Sequence, residues 1–388
     1  MAVPMSPDTF AAVVSVFAAR SGARARGVAA QLDVVRTVGA RHAYRRLRQK
    51  ATTASFAGEF RDRVYERLWR EAAEMVDAHI APLGGGILEV HRGSAHTRVW
   101  QQVAMLDDAV TLRVALDKPL VHRLLGRAGV PVPEHLEFGW SDLARAEHFL
   151  ARTGHAVVVK PARGAGGGDG ATCGVRTGHE LRRAALAASR RGGRMLLERQ
   201  APGDVYRVLV LDGRPIAAVR RRSPTLVGDG ISTVEQLVAA ENHRRLVARG
   251  EAGLTPLRVD LDCVLTLARA GLSLAAVVPA GRLFTVKAVT NEGRLEDATT
   301  VPLSALPAEL LEEAITAARI VGVRLAGVDV ITSDPGQGLR STGGVVNEVN
   351  GTPALHHHAL VADRPSATPV AAVVLEHVLS MASAQRSG

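Results

Sequence analysis

Residues 344–353 read GVVNEVNGTP, and the fold turns on whether this stretch is a strand carrying polar cargo. Its valines suit a buried β-strand, and Thr352-Pro353 stops it. Side chains alternate along a strand, so Glu348 and Asn350 share one side while Val349 points to the other. About twenty residues upstream, GVDVI (327–331) is an equally apolar strand carrying Asp329. The turn residues DPGQG (334–338) lie between them, so the two strands are expected to pair antiparallel, with Asp329 beside Glu348 and Asn350. Buried acids without partners are costly. A hard cation such as magnesium would offset that cost, because it takes oxygen ligands and keeps waters or phosphate oxygens in its other positions. Alternatively, both acids are structural and pair with arginines such as Arg324 and Arg340. Spacing alone leaves the two open.

The lysines favour the first. Of 48 basic residues only four are lysine: Lys50, Lys118, Lys160 and Lys287. In so arginine-rich a chain, a retained lysine points to a compact ammonium that a planar guanidinium cannot replace. Lys50 belongs to a basic helical stretch, Arg36–Lys50, and needs no special role. Lys160 closes the apolar strand VVVKP (157–161) and directly precedes the glycine-rich RGAGGGDGATCGVR (163–176). Glycines let backbone N–H groups approach phosphate oxygens, and a lysine adds a point charge. The pattern GxxxxGK[ST] is absent, so this is no Walker loop. The loop returns into a strand and its lysine comes first, so it is no dinucleotide fingerprint either. A flexible turn would explain the glycines alone. Their conjunction with Lys118, in a helix about forty residues earlier, and with the late D…ExN pair points to nucleotide phosphates.

Bulk properties bound the remainder. At 388 residues the chain is too long for one ordinary core, and 47% hydrophobic residues can fill two or three. No apolar run approaches the roughly 18 residues of a membrane span. The patch Phe10–Ala19 lacks a basic leader, so no secretory signal is expected. Cys173 and Cys263 form neither a disulfide framework nor a metal spacing, which suits a reducing, cytoplasmic setting. The net charge of +10 invites nucleic acid, but the arginines are spread over the chain and aromatics are only 3%, so stacking platforms are scarce. Residues 8–80 show helical periodicity, broken at Ala81-Pro82 and Gly84–Gly86, and two strand-like runs follow, ILEVHR and HTRVWQQVAML. From about residue 118 helices and strands alternate, with Asp212-Gly213 as a hairpin turn. Three regions are expected: a mainly helical 1–112 with short strands, then 113–200 and 201–388. The last stretch, ATPVAAVVLEHVLSMA (367–382), is expected to close the fold as an amphipathic helix.

Over roughly residues 114–360 the sequence resembles the ATP-grasp superfamily, and within it the ATP-grasp part of cyanophycin synthetase and of the bifunctional glutathione synthetases. DKPLVHRLLGRAGVPVP (117–133) looks like the family's opening segment, VVVKPARGAGGGDG (157–170) like its phosphate loop and LLERQAPGDVYRVLV (196–210) like its adenine hinge. GVDVI and NEVNGTP resemble its magnesium strands. RRRSPTLVGDGISTVEQLVAAEN (220–242) and LTPLRVDLDCVLTLARAGLSLAAVVPAG (254–281) resemble the segments between. The resemblance implies an α+β ATP-grasp fold, two α/β subdomains clasping ATP behind the helical N-terminal region. The residues 113–200 would then carry the phosphate loop and adenine hinge, and 201–388 the metal and substrate site.

The same resemblance implies an ATP- and magnesium-dependent carboxylate–amine ligase that works through an acyl phosphate on amino acids or small acids. A modifier of a protein or peptide terminus, or a degenerate nucleic-acid-binding relative, are the alternatives. Carried over by position, Lys118, Lys160 and Gly166, Gly167 and Gly168 would hold the phosphates. Glu198 and Arg199 would sit at the adenine hinge, and Asp204 at the ribose, although the family's usual acid position is Val205 here. Asp329, Glu348 and Asn350 would hold magnesium, two ions with manganese as a substitute. Arg222, Lys287 and Asn291 would face the γ-phosphate and the acyl phosphate, Lys287 standing where the family has arginine. Arg207 would bind a substrate carboxylate or an internal acid. His356 and His358, in a run of three histidines, would contact substrate; adjacent histidines cannot easily share one metal, so zinc is not expected. Small-molecule acid and amine substrates are the expected partners, without nucleic acid or membrane, and a homo-oligomer is left open. Cyanophycin synthetase also has a Mur-ligase-like ATP domain; no counterpart shows in these residues, so a stand-alone ligase is expected.

Overall fold

The computed structural model describes residues 32–33, 60–164, 166–248 and 255–387. The expected helix at Phe10–Ala19 and the basic run Arg36–Lys50 lie outside the described residues. Helix α1 (residues 60–75) is followed by a four-stranded antiparallel meander: β1 (His79–Gly84), β2 (Ile87–Arg92), β3 (Ala95–Trp100) and β4 (Val103–Ala104). Strand β1 takes up the Ala81-Pro82 that the sequence marked as a break. As an edge strand it tolerates a proline with no ladder donor to give. Helices α2 (Ala109–Ala115) and α3 (Lys118–Arg127) come next, capped by Asp108 and Asp117, whose carboxylates accept first-turn N–H groups.

The first of two larger sheets has the order β5-β8-β6-β7: β5 (His135–Phe138), β6 (Val157–Pro161), β7 (Thr172–Val175) and β8 (Met195–Arg199). Val157, Val159 and Leu197 point to one face, where α4 (Leu143–Thr153) and α5 (Gly178–Ala188) cover them. The second has the order β13-β10-β9-β14-β15 and comprises β9 (Asp204–Leu211), β10 (Arg214–Arg221), β13 (Ala298–Val301), β14 (Leu325–Thr332) and β15 (Val345–Asn350). Asp212 and Gly213 close the β9–β10 hairpin, both with positive φ, as the tight primed turn requires.

Inserted in the second sheet's sequence, between β10 and β13, lies a small module. It holds the pair β11 (Thr225–Val227) and β12 (Leu283–Thr285) and the helices α6 (Val234–Val247) and α7 (Leu261–Arg269), around a core of its own. Helix α8 (Ala308–Val321) covers one face of the second sheet, packing on Val208, Val210, Val328 and Val349. The other face is covered at one end by α1, the meander and the final helix α9 (Val370–Ser387). Arg364–Ser383 is long and apolar enough to cross a membrane by composition, contrary to the first expectation; it buries Val374, Leu375, Val378 and Leu379 in this core.

One boundary differs from expectation. Val121, Leu125 and Val130 share a core with α8 and the second sheet, so the segment around α3 packs there rather than on the first sheet. Residues of 60–104 pack on the second sheet's other face.

Candidate active site

The end of the second sheet that α1 and α9 leave uncovered carries charge. Register places Arg207 opposite Asp329, Asp329 opposite Glu348, and Gly327 opposite Asn350, so all four polar side chains share one face. Arg207 donates from Nε to Asp329 Oδ1 at 2.7 Å and from Nη2 to Oδ2 at 2.6 Å. The choice left open for Arg207 thus falls on an internal acid. Burial alone would lower the Arg207 pKa, but Asp329 outweighs it and the pKa stands above the ordinary value. Asp329 does pair with an arginine, yet not with Arg324, which binds Asp212, or Arg340, which donates to the Gly129 carbonyl. Glu348 Oε1 lies 3.2 Å from Lys118 Nζ. Asn350 donates Nδ2 to the Gly327 carbonyl at 3.0 Å.

Across from this face stands the polar face of the first sheet. Lys160 and Glu198 sit on alternate positions from the apolar valines, and the Lys160 ammonium lies 2.8 Å from Glu198 Oε2. His122 of α3 holds the other oxygen at 2.7 Å. Burial would raise the Glu198 pKa, yet Lys160 and His122 pull it down to about 2, so it stays ionised. Burial works against the Lys160 charge too, and is outweighed by Glu198 and Glu348 together, which places its ammonium close to both sheets' acids. Arg199, next to the hinge, is exposed and its N–H is already bonded to the Glu134 carbonyl at 2.8 Å.

The glycine loop closes the third side. Gly167 and Gly168 have positive φ, and a Cβ on Gly168 would stand 3.0 Å from Asn291 Nδ2. Asn291 in turn accepts from Arg221 Nη2 at 2.8 Å. Arg221, not Arg222, is the arginine at the site. A register shift between Pro215 and Ala217 flips the faces of β10 and sets Arg221 opposite Val205, on the side of Arg207. Arg222 is exposed, and among the described residues its side chain donates to the Glu296 carbonyl alone. Arg221 is 4% exposed and, unlike Arg207, is bonded to no carboxylate among the described residues. Burial, reinforced by Arg207, lowers its pKa to about 10. Asp329 and Glu348 act on this cation through space without bonding to it, so its N–H groups are suited to an incoming anion.

Two further expectations need correction. Lys287 is 0% exposed and its ammonium is taken up by Asp260 at 2.7 Å and Glu292 at 3.0 Å, beneath the loop rather than at a phosphate. Lys287→Met should accordingly destabilise the fold by about 3 kcal/mol or more, since it strands buried acids. Urea unfolding checks this; unchanged stability with lost nucleotide affinity would restore the phosphate role. Asp204 pairs with Arg220 and alternates to the face opposite Arg207, so it is not aimed at the cleft.

The three histidines follow β15 directly and end among arginines. His356 Nδ1 lies 2.8 Å from the Tyr65 hydroxyl of α1, which composition gave no reason to place here. His358 is 2% exposed, and among the described residues neither of its ring nitrogens has a hydrogen-bond partner. Burial, then Arg207 and Arg221, lower its pKa to about 3; burial and Arg61 do the same for His356. Between pH 6.5 and about 3 the unfolded chain therefore binds protons that the folded one refuses, and stability falls with acid. His358 alone should remove roughly 2 kcal/mol between pH 7 and pH 5. His358→Gln should flatten that part of a stability-versus-pH series, and an unaltered slope would refute it.

Among the described residues no three His, Cys, Asp or Glu side chains converge as a cation cage. The residues fit magnesium as a shared site. A Glu348 oxygen, the Asn350 amide oxygen and the spare lone pairs of Asp329 would supply part of the shell, and waters and phosphate oxygens the remainder.

No family model matches the chain. It is 31% identical over 279 residues to cyanophycin synthetase of Trichormus variabilis, covering 70% of this chain and 30% of that protein. It is 29% identical over 261 residues to the glutathione biosynthesis bifunctional protein GshAB of Mannheimia succiniciproducens, covering 65% and 34%. The chain thus spans about a third of the length of the curated relatives it matches. Among solved structures, a bifunctional glutathione synthetase from Pasteurella multocida aligns at 22% identity with a TM-score of 0.49, over 78% of this chain and 41% of that one.

Proposed function

The chain is a member of the ATP-grasp superfamily, and on that premise we propose that it is an ADP-forming carboxylate–amine ligase acting on amino-acid or small-acid substrates. The reading is carried by one observation: Lys118 meets Glu348 while Lys160, tied to Glu198, lies within charge range of the same carboxylate. That gathers two ammonium groups and three oxygen-bearing side chains of β14 and β15 around one cleft.

ATP would lie with its phosphates between the glycine loop and β15. Lys118 and Lys160 neutralise phosphate oxygens, and the N–H groups around Gly166–Gly168 approach them without side-chain interference. Glu198 holds Lys160 in place from the hinge strand. Magnesium, when bound through Glu348, Asn350 and Asp329, neutralises phosphate charge. Arg221 faces the transferred phosphoryl group and the acyl phosphate it produces, and Asn291 orients that guanidinium. Transfer of the γ-phosphoryl group to the substrate carboxylate releases ADP. The amine then attacks the carbonyl carbon, phosphate leaves, and the amine loses a proton. The work is positioning and charge neutralisation, and no protein nucleophile takes part. The histidine loop with Tyr65 borders this cleft and would contact the acid or the amine.

Cys173 and Cys263 are free thiols, in keeping with the cytoplasmic setting proposed for the enzyme. The test is phosphate release from ATP over paired pools of amino acids, with products identified by mass. An amide product supports the ligase; ADP without amide in every pairing would make it a carboxylate kinase.

A further inference from the structure

We infer that Arg258 is a positioning residue that fixes the glycine loop against Asn291 and Arg221, so that loop and guanidinium address the same phosphoryl group. This rests on the ligase reading above. Arg258 lies between the two strands of the small module, in neither a strand nor a helix, and no motif marks it.

Its guanidinium is bonded along its whole edge. Nε donates to Glu292 Oε1 at 2.5 Å, Nη1 to Asp169 Oδ1 at 3.0 Å, and Nη2 to the Gly167 carbonyl at 3.2 Å. Its own backbone N–H donates to Glu292 Oε2 at 2.7 Å. Two of these partners belong to the glycine loop. Glu292 belongs to the turn Thr290–Glu292, whose Asn291 binds Arg221 and lies where a side chain on Gly168 would stand. Arg258 therefore joins the loop and the turn that orients Arg221. The turn end is fixed from below: Glu292 is 1% exposed and also accepts from Lys287, itself anchored by Asp260. A planar fork suits this geometry, since a lysine reaches one such acceptor well but not three in a row.

A network that merely held the small module in place would have no reason to end on a carbonyl inside the phosphate loop. The two roles also differ in what they change. Loss of positioning weakens the grip on phosphates and leaves adenosine recognition at the hinge alone. Loss of structure weakens both.

The test compares wild-type chain with Arg258→Met and Arg258→Lys, measuring affinity for MgATP, affinity for adenosine, and the thermal midpoint without nucleotide. Arg258→Met should weaken MgATP about tenfold or more while adenosine affinity stays within about twofold, and Arg258→Lys should fall between. MgATP affinity unchanged in Arg258→Met, or an equal loss for MgATP and adenosine, overturns the inference. Should Arg258→Met not fold, Arg258→Lys decides: a loss confined to MgATP supports the role, and wild-type affinity contradicts it. A double-mutant cycle with Asn291→Ala should be non-additive, because both residues act on one contact; additivity counts against it. A wild-type chain that binds adenosine but gains nothing from phosphates and magnesium would instead sink the ligase reading.

Discussion

Arg221→Met is expected to cut turnover by about two to three powers of ten while Arg222→Met leaves it within about twofold. The two arginines are adjacent in sequence, and only the strand register separates them. Arg221 is buried beside Asn291 and is bonded to no carboxylate among the described residues, so its N–H groups are open to a ligand. Arg222 is exposed and, among the described residues, donates only to a backbone carbonyl. Preorganised charge acts most strongly where negative charge develops, so the loss should fall on kcat and spare nucleotide affinity. The methionine variant should also fold at least as well, because burial and Arg207 together outweigh the pull of Asp329 and Glu348 on this cation. Measured kcat and MgATP affinity for both variants settle the point, and equal effects at the two positions would refute the register argument.

Glu348→Gln should abolish turnover to within about a thousandth of the wild-type rate, and unlike the arginine variant it should also cost MgATP affinity. Glu348 faces Lys118 at 3.2 Å and influences Lys160. Burial would raise its pKa, but Lys118, Lys160 and Arg207 together hold it below the ordinary value, so it is an anion at neutral pH. The amide keeps the size and one oxygen while removing that charge. The nucleotide-free variant should remain folded, as glutamine can still accept from Lys118. Equilibrium binding with and without magnesium reads the effect. A variant whose affinity responds to magnesium as the wild type does would remove Glu348 from the metal site.

How far all this could be read from sequence depended on how local each signal was. The pairing of β14 with β15 was legible, because two valine-rich strands with one acid each and a turn between them permit little else. The hairpin at Asp212-Gly213 was legible for the same reason. Arg221 was not: counting along β10 from that hairpin puts Arg222 on the inner face, and only the shift at Pro215–Ala217 reverses the parity. Strand β1 was hidden because Pro82 ordinarily ends structure, whereas at a sheet edge it is tolerated; Gly85 and Gly86 do end the strand, as the turn into β2. The fate of Lys287 depended on Asp260 and Glu292, two acids from separate segments that no spacing rule links to it. Tyr65 and Arg258 reach the cleft through contacts spanning 291 and 91 residues. Charge and alternation can nominate residues within one element; they cannot say which distant element will neutralise them.

A crystal grown with a non-hydrolysable ATP analogue and manganese would test the convergence of lysines and acids most directly, through the metal's anomalous scattering. The account predicts a manganese peak against Glu348 and Asn350, with Lys118 and Lys160 in hydrogen-bond reach of the phosphate chain beneath Gly166–Gly168. Manganese bound elsewhere, or phosphates lying away from both ammonium groups, would contradict it.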